Sequence, residues 1–129
     1  MDVEAAERLT DELITAELSK QNAMWGRTNE RADISKGQLM HAGMAQLDAL
    51  HERHLGVEEA FIESPLIYPE DWSGFRDYGS DVANLVVAVA FLTQEIKRKL
   101  MAGEDYTRTS RTPDQVYRPE TGLPNTIET

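Results

Sequence analysis

Apolar residues recur along this chain at spacings of three and four, which is the period of a helix with one face turned inward. Over residues 3–25 the recurring positions are Leu9, Leu13, Ala16 and Met24, with Ile14, Leu18 and Trp25 widening the face. Glu4, Glu7, Asp11 and Glu12 crowd the first turns, where negative charge suits the helix dipole, and Gly26 supplies a stop. The polar run 27–35 reads as a loop. Residues 36–55 give a second helix through Leu39, Gly43, Leu47, Leu50 and His54, with Ser35 as its cap and Gly56 as its end. A short helix over 57–63 is stopped by Ser64-Pro65.

The third helix is expected over 77–102. Val82, Leu85, Val86, Val89, Leu92, Ile96 and Leu100 form its main stripe, and Ala83, Val87, Ala88, Ala90 and Phe91 fill the other faces of its first half. A helix apolar all round belongs in the middle of a domain, buried on every side. Lys97, Arg98 and Lys99 suit its C-terminal dipole, and Gly103 ends it. The segment 64–75 carries Tyr68, Trp72 and Phe75 among prolines and Gly74, so its rings pin the loop to the domain or lid a site. The pattern therefore predicts an all-α domain over 1–103, with three main helices plus a short helix around a central apolar helix. An extended C-terminal tail follows over 104–129. It is expected to lie along its own domain or a neighbouring subunit through Tyr117 and Leu123.

Composition narrows the chemistry. The 129 residues suit one domain, and the absence of cysteine removes thiolate metal sites and cysteine nucleophiles. A net charge of −10 repels nucleic-acid phosphates, so direct nucleic-acid binding is not expected. Two routes to function remain. Carboxylates can hold a divalent cation that accepts phosphates, or the acidic surface can meet a basic protein partner. The opening residues lack the features of a secretion signal. The most apolar run, Val82 to Leu92, is far short of the roughly 20 residues of a membrane span. A cytoplasmic, membrane-free protein is expected. The broad apolar faces of the first two helices predict a homodimer.

Three constellations bear oxygen or nitrogen ligands. Asp77, Asp81 and Asn84 are spaced by four and three, which places them on one face of the third helix. Two carboxylates a turn apart suit Mg²⁺ with waters and phosphate oxygens completing the octahedron. The alternative makes Asp77 a helix cap and pairs Asp81 with a cation such as Arg76. Asn84, a lone amide in an apolar run, needs partners from a neighbouring helix or a ligand. The second helix carries His41, Asp48, His51, Glu52 and His54, without the four-residue histidine spacing of zinc proteases, and solvated charge explains most of it. Glu58, Glu59 and Glu63 form an acidic turn. Serine-nucleophile, phosphate-loop and dinucleotide signatures are absent.

Two segments carry a resemblance. Residues 17–26 (Glu-Leu-Ser-Lys-Gln-Asn-Ala-Met-Trp-Gly) resemble a helix end found in small phage-encoded proteins. Residues 79–92 (Gly-Ser-Asp-Val-Ala-Asn-Leu-Val-Val-Ala-Val-Ala-Phe-Leu) resemble the third helix of MazG-like nucleotide pyrophosphohydrolases. The resemblance spans roughly residues 5–101, in the order helix, loop, helix, loop, apolar helix. It implies an all-α fold and Mg²⁺-dependent attack of water on a nucleoside triphosphate. It assigns Asp81 as a metal ligand, with Asp77 as the earlier acid. Where the family places glutamates on its second helix, this chain has Leu39-Met40-His41-Ala42-Gly43-Met44-Ala45, so His41 is the one residue there able to coordinate. The reading extends to Trp25 or Trp72 stacking on a base and Arg27 or Arg76 meeting phosphates. The expectation is a MazG-like pyrophosphohydrolase or a degenerate nucleotide-binding relative. Its rival is a non-enzymatic acidic accessory protein that binds and inhibits a host or defence protein.

Overall fold

The computed structural model describes residues 1–25, 36–56, 65–69, 72 and 74–107. Among them the chain is all-helical: α1 is Val3–Trp25, α2 is Gln38–His54 and α3 is Asp81–Met101. The α1 limits agree with the expected 3–25. Asp2 opens that helix by accepting the Ala5 backbone N–H at 2.8 Å. The short helix expected over 57–63 and the tail from 108, with Tyr117 and Leu123, lie outside the described residues. Residues 104–107 are exposed and outside any helix. No helix among the described residues is long and apolar enough to cross a membrane.

The third helix is central, since it packs against both α1 and α2. The α2–α3 seam is built from small side chains. Ala42, Ala45 and Ala49 of α2 and Ala88 and Ala90 of α3 are fully buried, and Leu39, Val87 and Phe91 join the core. The two backbones meet closely at Gly43. A Cβ there would stand 3.1 Å from the Leu92 side chain and 3.2 Å from the Ala88 carbonyl. On the other side, buried Gln94 of α3 donates its amide hydrogen to buried Gln21 of α1.

Two expectations about α3 are corrected. It begins at Asp81, not at 77. Ser80, in an extended conformation, caps it by accepting the Ala83 N–H at 3.3 Å. Nor is it buried on every side. Its inward face carries Asn84, Val87, Ala88, Phe91, Gln94 and Glu95, while most of the expected main stripe is turned out: Val82, Leu85, Val89, Ile96 and Leu100 are all exposed. The same holds for α1, where Leu9, Leu13 and Met24 are exposed and Ile14, Leu18 and Gln21 face the domain.

The segment before α3 is held by rings. Tyr68 meets Phe75 edge-on at 5.3 Å and Trp72 at 6.2 Å, and Trp72 lies 6.3 Å from Phe91 of α3. Edge-to-face contacts at these separations are attractive in addition to the apolar area they bury. The loop is thus pinned to the α2–α3 core.

Candidate functional site

Asp77 precedes α3, so the one-face helical spacing expected for Asp77, Asp81 and Asn84 does not hold. The fold nevertheless brings the three together. Asp77 is buried, with its side chain at 0% exposure. Its Oδ1 accepts the Gly79 N–H at 3.0 Å and the Asn84 side-chain N–H at 2.9 Å, and its Oδ2 is paired with the Arg53 guanidinium of α2. Asn84 in turn accepts the Tyr78 N–H at 3.0 Å. Both ends of this buried amide are therefore met by the loop that leads into its own helix. Asp81, half-exposed, holds His54 Nε2 at 2.8 Å, and Arg53 Nη1 lies 3.9 Å from its other oxygen.

This arrangement does not fit a Mg²⁺ pair. A hard cation needs free carboxylate oxygens and room for water. Both Asp77 oxygens are engaged inside the protein. The Arg53 guanidinium, placed between Asp77 and Asp81, supplies the positive charge that an ion would bring. Among the described residues no three histidine, aspartate or glutamate side chains are grouped to hold a metal.

The remaining expected site residues separate. His41 is half-buried on the first turn of α2, away from the Asp77 cluster in sequence, and its ring lies beside Gly37. Trp72 is a packing residue against Tyr68 and Phe91. Asp48 and His51 share a shallow surface groove with Met44, Leu47 and Ile67. Arg27, Glu58, Glu59, Glu63 and the Trp25 side chain lie outside the described residues.

Arg76 is placed differently. It lines a cavity of about 330 Å³ between α1, α2 and the 74–78 segment, together with Lys20 of α1, Gln46 of α2, Tyr68, Tyr78 and Phe91. Arg76 and Lys20 are exposed, and neither forms an ion pair among the described residues. Among the described residues Glu17 is the one carboxylate in the wall, and it accepts a hydrogen bond from Gln21 at 3.2 Å. Gln46 is buried and its Oε1 has no hydrogen-bond partner among the described residues. Burial, and then the neighbouring Tyr78, push the Tyr68 hydroxyl above its ordinary titration range. The phenol therefore stays neutral where the cavity meets the core. The cavity adjoins an apolar groove of about 420 Å³ between α1 and α3, formed by Leu13, Ala16, Val82, Ala83 and Val86, and the two share Lys20 and Tyr78.

Sequence reasoning found Arg76 but missed Arg53, Lys20 and Gln46. Arg53 lies 24 residues from Asp77, and no local spacing marks that pairing. Lys20 sits on a helix face that reads as solvated. Comparison of the chain with protein-family models, with curated proteins and with solved structures finds no match in any of the three.

Proposed function

We propose that this chain binds a small phosphorylated, ring-bearing ligand of the nucleotide class in the cavity between α1 and the 74–78 segment. The observation that carries the reading is the convergence of Lys20 and Arg76 on one aromatic-walled cavity in a chain of net charge −10. Two cations without ion-pair partners among the described residues suit phosphate oxygens, and arginine offers its planar fork to them. The cavity volume sits at the lower end of the range of ligand pockets, and the adjoining groove extends it on the apolar side. The resemblance to MazG-like proteins agrees with this ligand class. Because Arg53 and His54 hold Asp77 and Asp81, binding without hydrolysis is the half of that resemblance this geometry favours, and Mg²⁺ has no part in it.

The test is thermal unfolding against a panel of nucleoside mono- and triphosphates, with Mg²⁺ and with a chelator. A ligand present at a hundred times its dissociation constant adds about 2.7 kcal/mol to stability. Stabilisation equal in both buffers, and weakened by Arg76→Ala and Lys20→Ala, is expected. Stabilisation that needs Mg²⁺ restores the pyrophosphohydrolase with Asp77 and Asp81 as ligands. A flat panel overturns nucleotide binding altogether.

A second reading has its own observation. Glu4, Glu7, Asp11 and Glu12 of α1 are all exposed and form no ion pair among the described residues. Such a row steers a basic protein surface, as the acidic accessory protein requires. A flat nucleotide panel together with salt-sensitive binding to a basic partner selects it.

A further inference from the structure

The outward stripe of α3 has the spacing of a helix-pairing seam. Val82, Leu85, Val89, Leu92 and Ile96 alternate steps of three and four, the 3.5-residue period on which one helix packs along another, and Leu100 continues the line. Val82 and Ile96 are each 61% exposed and Leu100 52%. Leu92, half-buried, is the one member also packed against α2, at Gly43. An apolar line this long on one helix face exceeds the scattered apolar residues of an ordinary surface.

We propose that this face is covered by α3 of a second copy of the chain, running antiparallel about a two-fold axis near the middle of the helix. Three features select that occupant and direction. First, the line is self-complementary. Reversed on itself about a point between Ala90 and Phe91, it sets Ile96 opposite Leu85 of the second copy and Leu92 opposite its Val89, and Leu100 falls beside its Val82. Second, charge agrees with reversal. Asp81 stands at the N-terminal end and Lys97, Arg98 and Lys99 at the other, so antiparallel packing keeps the basic ends of the two copies apart and opposes the helix dipoles. Parallel packing stacks Lys97 on Lys97. Third, the α1–α3 groove lies at the N-terminal end of the line, walled by Leu13, Val82 and Val86. It is open to the exposed Leu100 and Met101 from the opposite end of the second copy. An isologous contact of this kind closes as a dimer and leaves no end free to propagate.

The experiment uses the full chain and its lack of cysteine. Sedimentation equilibrium is expected to give twice the 14.5 kDa of one chain. Ile96→Glu, which sets a buried charge against the second copy's Leu85 in both halves of the contact, is expected to return the mass to one chain with the helical circular-dichroism signal kept. Should that variant fail to fold, cross-linking decides. Val82→Cys mixed with Leu100→Cys is expected to form a disulfide. Val82→Cys alone is not, because its two copies lie about 26 Å apart at the helical rise. A single-chain mass well above micromolar concentration overturns the proposal and leaves the face to a different partner. A Val82→Cys self-link overturns the antiparallel direction.

Discussion

The Arg53 guanidinium reaches from the last turn of α2 to a carboxylate, that of Asp77, with no solvent exposure. The pair fastens the end of α2 to the segment that leads into α3. Removing one partner of a buried pair strands the other charge where water cannot reach it. Arg53→Ala is expected to cost about 3 kcal/mol, read from the shift in urea midpoint. Asp77→Asn is expected to cost less, because the stranded guanidinium is partly exposed and the amide oxygen can still accept the Gly79 N–H. Equal losses would show that the charge pairing contributes little.

The Gln21–Gln94 bond predicts a non-additive pair. Both residues are buried, and the Gln94 oxygen has no partner among the described residues. Gln21→Leu leaves the Gln94 amide wholly unpaired, at a cost of about 1–3 kcal/mol. Gln21→Leu with Gln94→Leu removes the polar groups together and is expected to cost less than the two single changes summed. A double-mutant cycle in denaturant gives the coupling directly. An additive result would mean that the two amides do not depend on each other.

Gly43 is where the α2 and α3 backbones come nearest. Alanine there gains about 1 kcal/mol of helix propensity, while its Cβ presses on a carbonyl that cannot move without the helix. Gly43→Val adds two more carbons at the same point and is expected to cost about 1–3 kcal/mol by overpacking. Calorimetry on the valine variant checks this, and an unchanged melting temperature would refute the close approach.

Alkaline stability follows from Tyr68. Its hydroxyl titrates above the ordinary 10.0 in the folded chain, chiefly because of burial. Below pH 10 both states hold the proton, and the contribution is fully present. As the pH rises further the unfolded chain loses its proton first, so stability falls until the folded-state titration is passed. Tyr68→Phe is expected to flatten the decline above pH 10 in pH-dependent urea unfolding. A slope as steep as that of the parent would place its origin elsewhere.

Much of the helix plan was legible in the sequence. Gly56 and Gly103 mark ends that local chemistry sets, and both adopt the left-handed conformation that ends a helix. The orientation of α3 was not legible. Most of its bulky residues make an outward line, while its inward face sets Val87 and Phe91 among alanine, amide and carboxylate side chains, and a hydrophobic pattern weights bulk over closeness of approach. The start of α3 was misplaced because Asp77, Asp81 and Asn84 have helical spacing, whereas the capping serine at 80 carries the stronger local signal. The cavity was half legible. Arg76 is conspicuous beside the ring cluster, but Lys20 reaches the same space from α1, more than fifty positions earlier, and only packing brings the two together.

Asn84 has a consequence beyond satisfying its own amide. Anchored to Tyr78 and Asp77, it fixes the angle at which α3 is rolled about its long axis. About a quarter-turn or more of roll would let the greasy side sink toward α1 or α2, but it would tear this amide from both anchors in a place water does not enter. Together with the Gln94–Gln21 bond further along the helix, this polar pin holds the domain's stickiest surface outward.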